Sequence, residues 1–123
     1  MDNISLLGCG TWGSALAQIL AENGHNVLAW HYKEKAVSYM TSSRKHPNLN
    51  GFQFHKNITF DSNLDNLVAN TKCIVIAVPS HSVRQTMAKV SNKLSNDTII
   101  VNVSKGIENN SLKTMSEVIC EIT

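Results

Sequence analysis

The chain has 123 residues, of which 42% are hydrophobic and 16% charged, and a formal net charge of +2. That length fits one domain with a real core, and the composition is that of an ordinary globular protein. The basic residues are scattered, which argues against a nucleic-acid partner. No apolar run is long enough to span a membrane, and the three cysteines lack metal-ligand spacing. We therefore expect a cytoplasmic protein with reduced thiols, no metal, no nucleic acid and no membrane anchor.

The first half of the chain alternates between strand and helix patterns. The apolar run Ile4–Leu7 predicts a strand, and Val27–Trp30 predicts a second. Between them an amphipathic helix is predicted, ending at Gly24, with one apolar face made of Trp12, Ala15, Leu16, Ile19 and Leu20. Lys35–Met40 is a weaker helix pattern. The polar stretch Thr41–Asn57 predicts a long surface loop.

The second half repeats the alternation. Three further strands are predicted at Ile58–Phe60, Cys73–Val78 and Thr98–Val103. A short helix capped by Ser62 is predicted from Leu64, Leu67 and Val68. A second helix, opened by Ser82 and Gln85 as a capping box, is predicted from Val83, Met87, Val90 and Leu94. A third is predicted from Leu112, Met115, Ile119 and Ile122.

Several of the strands lack polar alternation, which is typical of strands buried on both faces. Strands that alternate with helices favour right-handed crossovers and a parallel sheet. We therefore predict an α/β fold: a Rossmann-type, doubly wound, mostly parallel sheet with helices on both faces, forming one domain over residues 1–123.

The segment Gly8–Gly13 reads Gly-Cys-Gly-Thr-Trp-Gly and fits the pattern G-x-G-x-x-G. It follows the first predicted strand and opens the first helix, which is the context that makes the pattern informative. Gly8 suits the tight turn, Gly10 lets a pyrophosphate approach, and Gly13 allows close packing of helix and strand. The pyrophosphate would meet the N–H groups at the start of the helix. The segment therefore predicts a dinucleotide site.

The end of the second strand bears on which dinucleotide binds. An NAD site usually has Asp or Glu there, whereas this chain has Trp30-His31-Tyr32-Lys33, with Glu34 following late. Tyr32 would stack on adenine and Lys33 would face a 2′-phosphate, although Lys33 also fits a solvated helix start. NAD and NADP both remain open.

Two later loops complete the predicted crevice. Pro79, after the fourth strand, would shape a wall beside the nicotinamide, and the nearby His81 reads as a solvent-exposed loop histidine. Lys105 follows the fifth strand and precedes Gly106. Its ammonium would hold a phosphate or polarise a carbonyl in the crevice. The alternative interpretation is an ordinary surface lysine in a turn between strand and helix.

Together these segments resemble the N-terminal domain of bacterial-type, NAD(P)-dependent glycerol-3-phosphate dehydrogenases. The resemblance runs in order over essentially the whole chain. It is carried by residues 8–17, by Asn23-Gly24-His25-Asn26-Val27 leading to Trp30, by Ala77-Val78-Pro79-Ser80, and by Val103-Ser104-Lys105-Gly106-Ile107-Glu108.

The resemblance implies hydride transfer between NAD(P)H and dihydroxyacetone phosphate or sn-glycerol 3-phosphate, which supplies phospholipid synthesis. It implies that Thr11, Trp12, Tyr32 and Lys33 contact the dinucleotide, and that Lys105 contacts both cofactor and substrate. Two positions depart from the family pattern: the family often has arginine at Tyr32, and Leu49-Asn50-Gly51 normally reads Leu-Pro-Gly.

Family members continue into a helical domain that supplies the proton-transferring lysine, so we expect no catalytic residue within residues 1–123. The chain is then expected to bind cofactor without turnover, and to self-associate through apolar surface that the helical domain would cover. Three alternatives stay open: the cofactor domain of another two-domain hydroxy-acid dehydrogenase, a stand-alone redox-sensing module, and a scaffold with a degenerate nucleotide site.

Overall fold

A computed structural model describes residues 3–69 and 71–123, and a five-stranded parallel sheet lies at its centre. The strands are β1 (Asn3–Leu7), β2 (Asn26–Trp30), β3 (Lys45–His46), β4 (Leu49–Gln53), β5 (Ile58–Asp61), β6 (Cys73–Ile76) and β7 (Ile99–Asn102). The helices are α1 (Thr11–Glu22), α2 (Glu34–Ser43), α3 (Leu64–Ala69), α4 (Val83–Ala88) and α5 (Met115–Ile122). The sheet order is β5-β2-β1-β6-β7, and every adjacent pair is parallel. The predicted doubly wound α/β fold is confirmed.

The sheet separates two apolar cores because successive side chains of a strand point to opposite faces. Leu6 of β1 joins the core that also contains Ala17 of α1 and Met40 of α2. Leu7 joins the other core, whose members from α3, α4 and α5 include Leu67, Met87 and Val118. Helices therefore cover both faces, as predicted. Among the described residues, none of these helices has the length and apolar character needed to cross a membrane.

The buried face of α1 differs from the predicted one. Trp12 and Ile19 are each 55% exposed, whereas the buried residues of the helix are Gly13, Ser14, Ala17 and Ala21. These small residues let the helix backbone approach the sheet closely, which the large apolar side chains would prevent. The apolar periodicity located the helix correctly but assigned the wrong face to the core.

The region predicted as a long surface loop is structured instead. It contains the end of α2 and an antiparallel hairpin of β3 and β4, in which Lys45 pairs with Gln53. Arg44 ends α2 in the left-handed conformation, with φ of 58°. Its guanidinium then donates to the carbonyls of His55 and Ile58. The hairpin is anchored by Phe54, which is 3% exposed and contacts the rings of Phe52 and Phe60.

Two of the predicted helix caps are wrong. Ser82 makes no side-chain cap; a short 3-10 turn over Ser80–Ser82 leads into α4 instead. At α3, the side chain of Asn63 accepts from the Asp65 amide at 2.9 Å. The carbonyl of Ser62, the predicted cap, accepts from the Trp30 indole at 3.0 Å.

The last two helices are shorter than predicted. α4 ends at Ala88, and Val90 is buried beyond it, ahead of another 3-10 turn over Ser91–Lys93. α5 begins at Met115, after a capping box in which Thr114 accepts from the Glu117 amide. Leu112 lies outside the helix, is 68% exposed and has φ of 59°. The capping box fixes the helix start three residues after Leu112, so that residue cannot join the buried stripe.

Candidate functional site

A crevice of about 620 Å³ opens above the carboxyl end of β1. It lies where the chain passes from one side of β1 to the other, because β2 and β6 are its two neighbours in the sheet. Its lining comes from the loops after β1, β2, β6 and β7: Gly8, Cys9, Gly10, Thr11, Trp12, Gly13, Trp30, His31, Tyr32, Ala77, Val78, Pro79, Ser80, Val103, Ser104 and Lys105. All the predicted cofactor-site residues belong to this set except Lys33.

The three glycines of the β1–α1 loop are suited to their positions for two different structural reasons. A Cβ on Gly8 would lie 2.7 Å from the backbone of Ala77, and Gly8 has φ of +113°. A Cβ on Gly13 would lie 2.1 Å from the Gly8 carbonyl oxygen. A Cβ on Gly10 would meet no atom of the described residues within 4 Å. Gly8 and Gly13 are therefore required by the packing of the loop, whereas Gly10 leaves space on the crevice side.

The start of α1 offers backbone donors to that space. Gly10 is the N-cap, and the first turn, which lies wholly within the described residues, has neither a side-chain cap nor an acidic residue. The N–H groups of a first helical turn have no partner within the helix, and the helix dipole adds partial positive charge there. The Ser14 amide makes the first helical bond, to the Gly10 carbonyl at 2.9 Å. This arrangement can bind an anion through backbone N–H groups.

Aromatic rings form the crevice wall at the end of β2. The rings of His31 and Tyr32 are stacked, with centroids 5.0 Å apart, and Tyr32 is 67% exposed. The Lys33 ammonium lies 5.4 Å from the Tyr32 ring centroid, outside the set of residues that line the crevice. The His31 Nδ1 accepts from the Lys33 amide at 3.0 Å. Burial lowers the pKa of His31, and the charge of Lys33 lowers it further, which favours the neutral ring.

The opposite wall comes from the loops after β6 and β7. The Ser104 hydroxyl joins them by donating to the Val78 carbonyl at 2.6 Å. Lys105 follows at the mouth of the crevice and is exposed, while Gly106 turns the chain with φ of +105°. Pro79 is exposed on the same wall, and His81 is exposed in the turn beyond it and does not line the crevice. A cation at Lys105 thus lies on the wall that faces the aromatic one.

Sequence reasoning missed several residues of the site. Cys9, His31 and Ser104 line the crevice, and each is in a loop at the carboxyl end of a parallel strand, which is the signal that would have found them. Burial raises the pKa of the Cys9 thiol, and the nearby Ser14 hydroxyl, at 3.3 Å, partly opposes this. His46 was also missed. It reaches the glycine loop from β3, with Nε2 3.1 Å from the Cys9 carbonyl oxygen.

Comparison with known proteins assigns this chain to a family. Residues 3–123 match the family described as NAD-dependent glycerol-3-phosphate dehydrogenase N-terminus. The chain belongs to this family. The resemblance found in the glycine loop and in the Ser-Lys-Gly-Ile-Glu segment is thereby confirmed.

Curated relatives carry the same name. The chain is 37% identical over 121 residues to a glycerol-3-phosphate dehydrogenase [NAD(P)+] from Syntrophotalea carbinolica, covering 98% of this chain and 36% of that protein. It is 41% identical over 120 residues to one from Chlorobium phaeobacteroides, covering 97% of this chain and again 36% of the relative. The chain thus spans little more than a third of the length of these members of the family.

Solved structures agree with the fold. The glycerol-3-phosphate dehydrogenase of Coxiella burnetii superimposes with a TM-score of 0.91 at 26% identity, covering 98% of this chain and 37% of that one. The Saccharomyces cerevisiae enzyme superimposes with a TM-score of 0.87 at 18% identity, covering 98% of this chain and 39% of the other. The yeast structure, at that identity, supports the fold alone.

Proposed function

We propose that this chain is the dinucleotide-binding part of an NAD(P)-dependent glycerol-3-phosphate dehydrogenase. The observation that carries the proposal is the uncapped start of α1 at Gly10, which faces open space in the crevice. Backbone N–H groups at such a helix start suit a pyrophosphate. Membership of the family gives the same cofactor class.

Different residues around the crevice would contact different parts of the dinucleotide. Thr11, Trp12 and Gly13 would present backbone N–H groups to the pyrophosphate. Tyr32 would stack on the adenine, with Lys33 beside it able to reach a 2′-phosphate, so both NAD and NADP fit. Pro79 and the loop it begins would bound the nicotinamide, which supplies or accepts the hydride.

Lys105 is the residue we assign to the substrate as well as to the cofactor. Its ammonium would hold the phosphate or polarise the carbonyl of dihydroxyacetone phosphate, the oxidised partner of sn-glycerol 3-phosphate. Lys105 alone is a poor candidate to hold the substrate and also deliver the proton that the carbonyl oxygen needs as hydride arrives. We infer that the proton-transferring group lies outside residues 1–123, in the helical domain of a longer enzyme. The free thiols Cys9, Cys73 and Cys120 favour the cytoplasm as its location.

A titration of the pure chain with NADH and, separately, NADPH, followed by nicotinamide fluorescence, tests the proposal. We expect saturable binding of at least one cofactor. The variant Gly10→Val should abolish it with an unchanged circular dichroism spectrum, because Gly10 has φ of −76° and open space around it. Binding that survives in Gly10→Val, or no binding by the wild-type chain, would contradict the proposal. Dihydroxyacetone phosphate should not accelerate NADH oxidation by this chain.

We also infer self-association through the edge strand β7. Ile99 is 62% exposed and Val101 41% exposed on this strand, which has a sheet partner on one side, β6, within the described residues. Such an edge with apolar side chains is a template for pairing with another strand. Light scattering should show mass rising with concentration for the wild-type chain and a monomer for Ile99→Lys. A wild-type chain that stays monomeric at all concentrations would contradict this inference.

A further inference from the structure

The hydrogen-bond partners of the His46 ring determine which tautomer it adopts. His46 lies on β3 and is 7% exposed. Its Nδ1 lies 3.0 Å from the Asn48 amide nitrogen, and its Nε2 lies 3.1 Å from the Cys9 carbonyl oxygen. A backbone amide can only donate, so Nδ1 accepts and carries no proton. The ring proton is therefore on Nε2, which donates to Cys9.

This hydrogen bond fixes the peptide unit between Cys9 and Gly10. A trans peptide is planar, so its C=O and its N–H point in opposite directions. The described residues contain no cis peptide bond. With the Cys9 oxygen held toward the hairpin, the Gly10 N–H points away from the hairpin. Glycine restricts its own backbone least of all residues, so this orientation depends on donors outside the loop. The Ser14 hydroxyl also donates to the Cys9 oxygen, but at 3.5 Å, so His46 at 3.1 Å is the closer donor and the anchor of this peptide unit.

The anchor is itself held in place by α1. The Gln18 side chain donates to the Gln53 carbonyl at 3.2 Å and accepts from the His55 amide at 2.9 Å. These bonds join α1 to β4 and to the residues after it, while His46 joins β3 to the glycine loop that precedes the same helix. The hairpin region is therefore held both to α1 and to the loop before it, and His46 makes the contact at the cofactor end.

We propose that His46 is a positioning residue of the dinucleotide site, which orients the Gly10 N–H for a pyrophosphate oxygen by holding the Cys9 carbonyl. The proposal rests on the proposed cofactor function, since it needs a ligand at the glycine loop. His46 does not line the crevice, so it acts through Cys9 and Gly10 and makes no contact with the ligand.

Two substitutions separate this role from simple packing. The amide nitrogen of glutamine reaches about as far as Nε2, so His46→Gln keeps a donor for Cys9. Asparagine reaches only about as far as Nδ1, so His46→Asn can satisfy Asn48 but loses the donor. Both remove the ring and its packing on Phe54, whose centroid lies 6.3 Å away. Lys45→Gln, on the same strand and exposed, is the matched control.

NADH titrations and thermal unfolding of the four proteins test the proposal. We expect His46→Asn to raise the Kd for NADH about five- to tenfold, which is the effect of one hydrogen bond on an equilibrium constant. His46→Gln should recover most of the affinity although both variants melt at similarly lowered temperatures, and Lys45→Gln should match the wild type. Equal Kd values for His46→Gln and His46→Asn would overturn the proposal.

A measurement on the wild-type chain keeps the test independent of how the variants fold. Long-range ¹H–¹⁵N NMR spectra distinguish the two neutral tautomers of a histidine ring. We expect His46 as the Nε2–H form, and the Nδ1–H form would overturn the proposal. Failure of the wild-type chain to bind NADH or NADPH would instead count against the cofactor function, so the two failures can be told apart.

Discussion

Arg84 and Glu108 form a two-point ion pair that ties the loop after Lys105 to α4. The Arg84 Nε lies 2.7 Å from one carboxylate oxygen of Glu108, and Nη2 lies 3.0 Å from the other. The planar guanidinium matches a carboxylate in this geometry, so the pair fixes direction as well as distance. Because Glu108 is three residues beyond Lys105, the pair restrains the loop that brings this lysine to the crevice.

The ion pair predicts a specific loss of stability in acid. Hydrogen bonds from Arg84 and Ser111 lower the pKa of Glu108 from 4.5 to about 2. The folded chain thus binds the proton more weakly than the unfolded chain, so the stabilisation is complete above pH 4.5 and is lost as the pH falls toward 2. Urea unfolding between pH 6 and pH 2 should show a shallower pH dependence for Glu108→Gln than for the wild type.

The control for this prediction is Glu22→Gln. Glu22 is exposed on α1 and forms no ion pair with any residue that the structure describes. Its substitution should leave the wild-type slope unchanged. Identical slopes for Glu108→Gln and the wild type would mean that the ion pair does not persist in solution.

Substitutions in the glycine loop should distinguish the glycine that the packing requires from the glycine that leaves space in the crevice. Gly13→Ala places a Cβ against the Gly8 carbonyl oxygen. The Cβ is fixed to the backbone and the oxygen belongs to it, so relieving the clash requires the backbone itself to shift. We expect this substitution to lower the free energy of unfolding by about 3 kcal/mol, at the upper end for an overpacked site. Gly10→Ala should change that free energy by less than about 0.5 kcal/mol, because its Cβ meets open space. Equal losses in urea unfolding would contradict the two roles.

The hairpin should behave as part of the core. Phe54 is almost fully buried and lies 4.8 Å from the Phe60 ring and 5.0 Å from the Phe52 ring, measured between centroids. Phe54→Ala should therefore cost about 3–5 kcal/mol of unfolding free energy, as for other buried aromatic residues. The partly buried Phe52 is the control, and its substitution by alanine should cost less. A cost below about 1 kcal/mol for Phe54→Ala would indicate that the region is the surface loop first predicted.

The parallel sheet was predictable because its central strands β1, β2 and β6 are largely buried on both faces and so appear as largely apolar runs. The hairpin was not, since Lys45 and Gln53 are polar residues that pair on a partly exposed surface. Its apolar anchor, Phe54, alternates with a second apolar residue only over Phe52-Gln53-Phe54, a pattern too short to predict a strand. The cap of α3 was missed because Ser62 and Asn63 are adjacent and are both reasonable cap residues in the sequence. Only the packing around Trp30 assigns Ser62 a different role.

The candidate site was predictable where one backbone loop forms it. The spacing of Gly8, Gly10 and Gly13 is local, so the sequence predicted their surroundings correctly. His46 was out of reach because its partner, Cys9, is 37 residues away and the bond depends on a hairpin that the sequence did not predict. Lys33, predicted from its position after β2, lies outside the crevice lining in this structure, so its contact with the cofactor stays a prediction.

Lys33 provides a test of cofactor choice. Its ammonium lies over the exposed Tyr32 ring, and the end of β2 carries no acidic residue at Trp30, His31 or Tyr32 that would repel a phosphate. If NADP binds, Lys33 can swing from the ring to the 2′-phosphate as a charge-assisted partner. Lys33→Gln should then raise the Kd for NADPH about tenfold and the Kd for NADH less than twofold, as measured by nicotinamide fluorescence.

Salt dependence makes this last prediction sharper. A charge pair at an exposed site is screened within about 10 Å at 0.1 M salt, so the effect of Lys33→Gln on NADPH should shrink as salt is raised. Lys35→Gln is the control, because Lys35 is exposed on the first turn of α2 and lies outside the crevice lining. Equal losses for NADPH and NADH would place Lys33 against the adenine or ribose that the two cofactors share. The 2′-phosphate would then need another partner.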